Sequence, residues 1–95
     1  MYSSKIAFVI PAKNEESTIK SIIEKINSIS KNIDTKLMNI IVASDSSDKT
    51  DEICKKFNNV TLVSSKNIGL GYAMYLGLKK AAKLNTEFIC SIDSD

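Results

Sequence analysis

Apolar and polar positions follow two rhythms along this chain. Short runs of adjacent apolar residues, many of them β-branched or aromatic, occupy residues 5–10 (KIAFVI), 37–43 (LMNIIVA), 60–63 (VTLV) and 87–92 (EFICSI). Side-by-side apolar residues predict strands, the first buried on both faces and the second and fourth also buried. Between the runs, apolar residues recur every three to four positions, which predicts helices. Ile19, Ile22, Ile23, Ile26 and Ile29 share one helix face, with Lys20, Ser21, Glu24, Lys25 and Asn27 opposite. Ile53, Cys54 and Phe57 mark the inner face of a shorter helix. Leu70, Ala73, Met74, Gly77, Leu78, Ala81 and Ala82 mark a third. The predicted order is βαβαβαβ. The fold class is α/β: an open, mostly parallel, Rossmann-like sheet with flanking helices and right-handed crossovers.

Local chemistry sharpens the boundaries. Pro11 ends the first strand, because proline cannot donate to a ladder. Asn14 is a good N-cap, and Glu15 and Glu16 suit the first helical turn. The polar residues 30–36 read as a connecting loop, and residues 44–48 (SDSSD) as a turn and cap cluster. Gly77 inside a helix costs about 1 kcal/mol relative to alanine, offset by close packing on the sheet.

Composition narrows the function classes. Ninety-five residues make one domain, residues 1–95. Apolar residues are 43% of the chain, as in a globular protein. Thirteen basic and 11 acidic residues leave a net charge of +2, too near balance for nucleic-acid binding driven by bulk charge. No histidine is present, which excludes histidine general bases and histidine zinc ligands. Cys54 and Cys90 lie in apolar contexts and read as buried, reduced thiols of a cytoplasmic protein. No transmembrane segment or signal peptide is visible.

The chemistry gathers where the strands end. In an open parallel sheet, ligands bind outside the carboxyl ends of the strands. Pro11-Ala12-Lys13-Asn14-Glu15 follows the first strand, residues 44–48 the second, residues 66–71 (KNIGLG) the third, and Asp93-Ser94-Asp95 the fourth. Each cluster alone also reads as ordinary caps, turn and packing glycines or loop. An acidic pair closing an apolar strand suits a divalent cation whose shell phosphate oxygens complete. Gly69 and Gly71 supply two glycines of a dinucleotide fingerprint, but Met74 stands in the third place and the run follows the wrong strand.

Together these stretches resemble the amino-terminal half of the GT-A domain of family 2 glycosyltransferases. Residues 9–16 (VIPAKNEE) look like the family's opening strand and donor-binding turn. Residues 40–50 (IIVASDSSDKT) are similar to its second-strand motif. Residues 67–73 (NIGLGYA), with Gly77 beyond, match its Asn-x-Gly-x-Gly-x-Ala pattern, and Asp93-Ser94-Asp95 matches its Asp-x-Asp. The resemblance implies a nucleotide-sugar donor, a UDP- or GDP-sugar, and Mg²⁺ or Mn²⁺. It implies that Pro11, Ala12, Lys13 and Glu15 line the nucleoside pocket. Asp93 and Asp95 would sit against the ribose and diphosphate, with Ser94 also donor-binding, Asp93 and Asp95 on the metal, and Asp95 favoured as its direct ligand.

Two departures bear on these roles. The family has two adjacent aspartates, then glycine-serine, where an ungapped match puts Ala43 and Ser44. One deletion brings Asp45 into the base-binding place. Lys13 stands where the family often has an aromatic residue, and either reaches a phosphate or points to solvent. The family's acceptor site and catalytic base lie beyond the Asp-x-Asp, so no catalytic residue is assigned. The expectation is a truncated transferase, inactive alone, with an uncovered last strand that promotes self-association. The rivals are a non-catalytic nucleotide-binding or interaction module and an NAD-binding domain.

Overall fold

The computed structural model describes residues 6–29, 38–84, 86 and 88–93. Strand β1 is Ile6–Ala12, helix α1 Ile19–Ile29, β2 Met38–Ser44, α2 Thr50–Cys54, β3 Val60–Ser64, α3 Leu70–Lys83 and β4 Phe88–Ser91. All pairings are parallel, in the spatial order β3-β2-β1-β4. The chain winds outward from β1 to β3, then returns across the sheet to place β4 on the other side of β1. That reversal makes the carboxyl end of β1 the topological switch point, where sheets of this kind open a crevice.

The two-residue period of the strands divides the core. Ile10, Ala12, Ile40 and Val42 face Ile19, Ile23 and Ile26 of α1 and Cys54 of α2. Ala7, Val9, Ile41 and Ala43 face Ala73 and Ala81 of α3. Ile19, Ile23 and Ile26 of the isoleucine stripe are thus core, as its spacing predicts, and the Ile22 side chain is half-buried on its edge. Gly77 lets α3 approach closely. A Cβ there would lie 3.1 Å from both Ala43 Cβ and Val9 Cγ1.

Several boundaries differ from expectation. Strand β1 continues through Pro11. The Val9 carbonyl faces β4, where it accepts from Ile92 N–H, so the backbone of Pro11 two residues on faces that side too. The β4 ladder has ended at Val9 by then, and the proline interrupts no pairing. Leu78 and Ala82 are exposed, not inner-face residues, because α3 seats the narrow line Ala73, Gly77 and Ala81.

The largest correction concerns β4. It is not a buried strand: all four of its residues are exposed, Phe88 at 55% and Ile89 at 45%. The cause is position. Strand β4 is an edge with β1 as its neighbour, and α3 lies over β1, β2 and β3. Cys90 is therefore exposed, while Cys54 is buried as expected.

Candidate functional site

The carboxyl ends of β1, β2 and β3 are joined by bonds that continue one residue past the strands. Asp45 N–H donates to Ala12 O at 2.9 Å, and Ser65 N–H to Ser44 O at 2.9 Å. This places Asp45, a residue with little exposure, in the rim between β1 and β3. Its Oδ1 accepts the Ser65 hydroxyl at 2.5 Å. No buried side-chain polar atom among the described residues lacks a partner, so Oδ2, which accepts no bond, reaches solvent. A carboxylate fixed on one side and open on the other can accept a hydrogen bond from a ligand.

A second network ties the loop after β1 to the loop after β2. Asn14 N–H donates to Ser46 Oγ at 3.0 Å, and Asn14 Oδ1 accepts Ser47 N–H at 2.8 Å. Glu15 N–H donates to Thr50 Oγ1 at 2.9 Å, and Glu16 N–H to Asp48 Oδ2 at 3.2 Å. Thr50 donates its hydroxyl to Asp48 Oδ1 at 2.5 Å and its N–H to the same oxygen at 2.9 Å. Below them, the Ser44 hydroxyl donates to Asp51 Oδ1 at 2.6 Å. Asn14 is therefore not a helix N-cap. It sits at φ 55°, a left-handed conformation that asparagine tolerates, and its side chain braces the opposite loop. Glu15 and Glu16 belong to a turn before α1, in which Ile19 N–H donates to Glu15 O at 2.9 Å.

Two titrations follow from these surroundings. Partial withdrawal from water alone would raise the Asp48 carboxyl, but the Thr50 hydroxyl and the N–H groups of Thr50 and Glu16 outweigh it and hold Asp48 below its usual 3.8. Burial, with the nearby Asp51 charge, pushes the Cys54 thiol up to about 12, so it stays protonated and inert.

The glycine loop contributes backbone shape. Gly69, at φ 141°, adopts a conformation that side chains rarely take, and Lys66 and Asn67 before it are at φ 54° and 68°. Gly71 is no packing glycine, since a Cβ there would meet nothing within 4 Å. It leaves open space on the first turn of α3.

Of the residues singled out from sequence, Pro11, Ala12, Lys13, Glu15 and Asp45 lie on the strand-end rim of β1 and β2. Asp93 follows β4 and is exposed, as is Lys13. Ser94 and Asp95 lie outside the described residues. Among the described residues no three acidic, cysteine or histidine side chains gather as a metal cluster.

The sequence profile of glycosyl transferase family 2 matches residues 7–95. The chain belongs to this family. It is 30% identical over 99 aligned positions to 4,4'-diaponeurosporenoate glycosyltransferase of Staphylococcus haemolyticus (strain JCSC1435), a match over 98% of this chain and 24% of that protein. It therefore spans about a quarter of the length of the curated relative it matches. Among solved structures, S. aureus TarS superposes with a TM-score of 0.76 at 28% identity, over 96% of this chain and 16% of that one. Glucosyl-3-phosphoglycerate synthase from Mycobacterium tuberculosis, in complex with Mn²⁺, UDP and phosphoglyceric acid, superposes at 0.70 with 27% identity, over 97% of this chain and 33% of that one. Mannosyl-3-phosphoglycerate synthase from Rubrobacter xylanophilus, 22% identical with a TM-score of 0.71 over 97% of this chain and 31% of its own, shares the fold.

In this family 2 chain, three residues matter that the sequence did not single out. Ser65 holds Asp45, Thr50 holds Glu15, and Ser46 holds Asn14. Thr50 alone carried a local signal, since aspartate two residues before threonine suits a side-chain-closed turn. Ser46 and Ser65 act across separations of 32 and 20 residues and carried none.

Proposed function

We propose that the chain is the nucleotide-sugar-binding part of a glycosyltransferase, which presents a UDP- or GDP-sugar for transfer to an acceptor. The observation that carries this reading is Asp45: a carboxylate on the strand-end rim beside β1, held by Ser65 on one oxygen and open on the other. Uracil and guanine each present a ring N–H beside a carbonyl, which a carboxylate can accept; adenine and cytosine in their neutral forms present none. Pro11, Ala12, Lys13 and Glu15 line the nucleoside pocket, and the Thr50 bond keeps Glu15 from swinging out of it.

Asp93 and Asp95 offer an oxygen-only donor pair, which fits a hard cation such as Mg²⁺ or Mn²⁺. Exposure of Asp93 at the rim keeps its carboxylate available to such an ion. When bound, the ion would neutralise charge on the departing nucleoside diphosphate. The Mn²⁺ and UDP held by the M. tuberculosis relative support the same chemistry here. Asp93 and Asp95 orient the ribose and diphosphate, with Ser94 also donor-binding. The roles assigned to these residues are to bind and orient the donor, and no acceptor base is assigned among them; sugar transfer by the chain alone is not expected. We assign it to the cytoplasm; among the described residues no helix is long and apolar enough to cross a membrane. The exposed β4 edge would support self-association, read as a mass increase with concentration in sedimentation.

Calorimetric titration with UDP, GDP and NAD, each with and without Mn²⁺, tests the reading. It predicts metal-dependent binding of UDP or GDP that weakens in Asp93→Ala. Binding of NAD indifferent to Mn²⁺ would overturn it in favour of a dinucleotide site. Donor turnover by the chain alone would refute the assignment of binding without transfer.

A further inference from the structure

Helix α3 has a second face that the donor site does not use. Its buried line, Ala73, Gly77 and Ala81, packs on the sheet. On the opposite side, Tyr72, Tyr75, Lys79 and Lys83 fall at successive helical turns and face solvent. Tyr72 is 44% exposed, Tyr75 56%, and Ile68 just before the helix 69%. The tyrosine rings lie 6.1 Å apart, tilted by 30°, and Lys79 Nζ stands 5.8 Å from the Tyr75 ring centre.

The charge around this face has one sign. Along β3, the glycine loop and α3, residues 60–86, the sequence has four lysines and no acidic residue, although the chain as a whole has 11. Lys79, Lys80 and Lys83 join Leu76, Val63 and Ser64 around a cavity of about 380 Å³ at the β3 edge. Ser64 Oγ accepts Lys66 N–H at 3.1 Å, which leaves its hydroxyl proton to donate. Three lysines and a serine around one cavity suit a phosphate-bearing headgroup.

We propose that the outward face of α3 docks on a membrane surface rich in anionic lipid. Charge complementarity selects this partner: the lysines attract an anionic surface within a Debye length of it. The tyrosines fit the same surface, because an aromatic body with a polar tip sits at headgroup depth. Lysine stems lie along the apolar boundary while their heads reach phosphate. Docking is peripheral and reversible, and it is independent of Asp45 and the donor rim.

Flotation with vesicles tests it, comparing equal parts of phosphatidylglycerol and phosphatidylcholine with phosphatidylcholine alone. The chain is expected on the anionic vesicles only, with binding that falls as salt rises. Lys79→Ala with Lys83→Ala should lower binding by about thirtyfold, from the usual contribution of a basic residue near such a surface. Both residues are exposed, so the pair should keep the parent's urea midpoint and UDP affinity. The chain has no tryptophan, so Tyr75→Trp reports depth by a blue shift on anionic vesicles. Absence from the anionic vesicles, equal binding to both compositions, or binding indifferent to the lysine pair would overturn the proposal. Loss of UDP binding with vesicle binding intact would instead count against the donor-site reading.

Discussion

Replacing Thr50 by valine tests how the loop after β1 is held. Thr50 is fully buried, and valine nearly preserves its shape. The change removes two hydrogen bonds: from Glu15 N–H to Thr50 Oγ1 at 2.9 Å, and from the Thr50 hydroxyl to Asp48 Oδ1 at 2.5 Å. A neutral hydrogen bond contributes about 1 kcal/mol and one to a charged group about 1.5–3 kcal/mol. Asp48 is only half-buried, keeps the N–H of Thr50, and regains water on its open side. The expected loss is therefore about 2 kcal/mol, below the sum of the separate contributions. For a domain of this size that is a fall in Tm of about 8–16 °C. Urea unfolding followed by circular dichroism measures it, with Thr50→Ser as the control that keeps the hydroxyl. The slack should also weaken UDP binding, because residues 13–16 lose their anchor to the second loop. A Thr50→Val protein within about 0.5 kcal/mol of the parent, at equal slope, would refute the argument.

Other outcomes follow from the same geometry. Asp48 has a lowered folded pKa, so its stabilisation is complete above its unfolded value near 3.8 and is lost as pH falls through the lower folded value. The stability gap between the parent and Asp48→Asn should be constant near neutral pH and close below about pH 4, read from urea midpoints at each pH. Gly77→Ala gains about 1 kcal/mol of helix propensity but forces contacts of 3.1 Å on Ala43 and Val9, and overpacking costs about 1–3 kcal/mol. A net loss of about 1 kcal/mol is expected in the same assay, and a stabilised variant would contradict the packing. Cys90 should react with a thiol reagent within minutes while Cys54, pushed up to about 12, reacts only on unfolding.

What the sequence revealed depends on range. Strand runs and the isoleucine stripe of α1 are local patterns, and they placed the sheet, its layers and the four strand ends within a residue or two. The exposure of β4 was legible only through the family resemblance, which left the last strand uncovered; its apolar run alone pointed the other way, because Phe88 and Ile89 show that a strand can be buried, not whether a neighbour covers it. Pro11 misled because its effect depends on which strand lies beside it, and β4 has ended there. Asn14 has the composition of a cap, yet its partners lie 32 and 33 residues away. Asp45 was reached through resemblance with one deletion; the structure adds that Ser65 fixes it. The bonds that shape the rim run between loops, and no local pattern encodes them.

The central claim is that Asp45 accepts a ring N–H of the donor's base. Calorimetric titration of UDP in the presence of Mn²⁺, against the parent and Asp45→Ala, tests it most directly. A hydrogen bond to a charged group contributes about 1.5–3 kcal/mol, so affinity should fall about 10- to 150-fold in the variant. An Asp45→Ala protein that is folded and binds UDP as tightly as the parent would contradict the account.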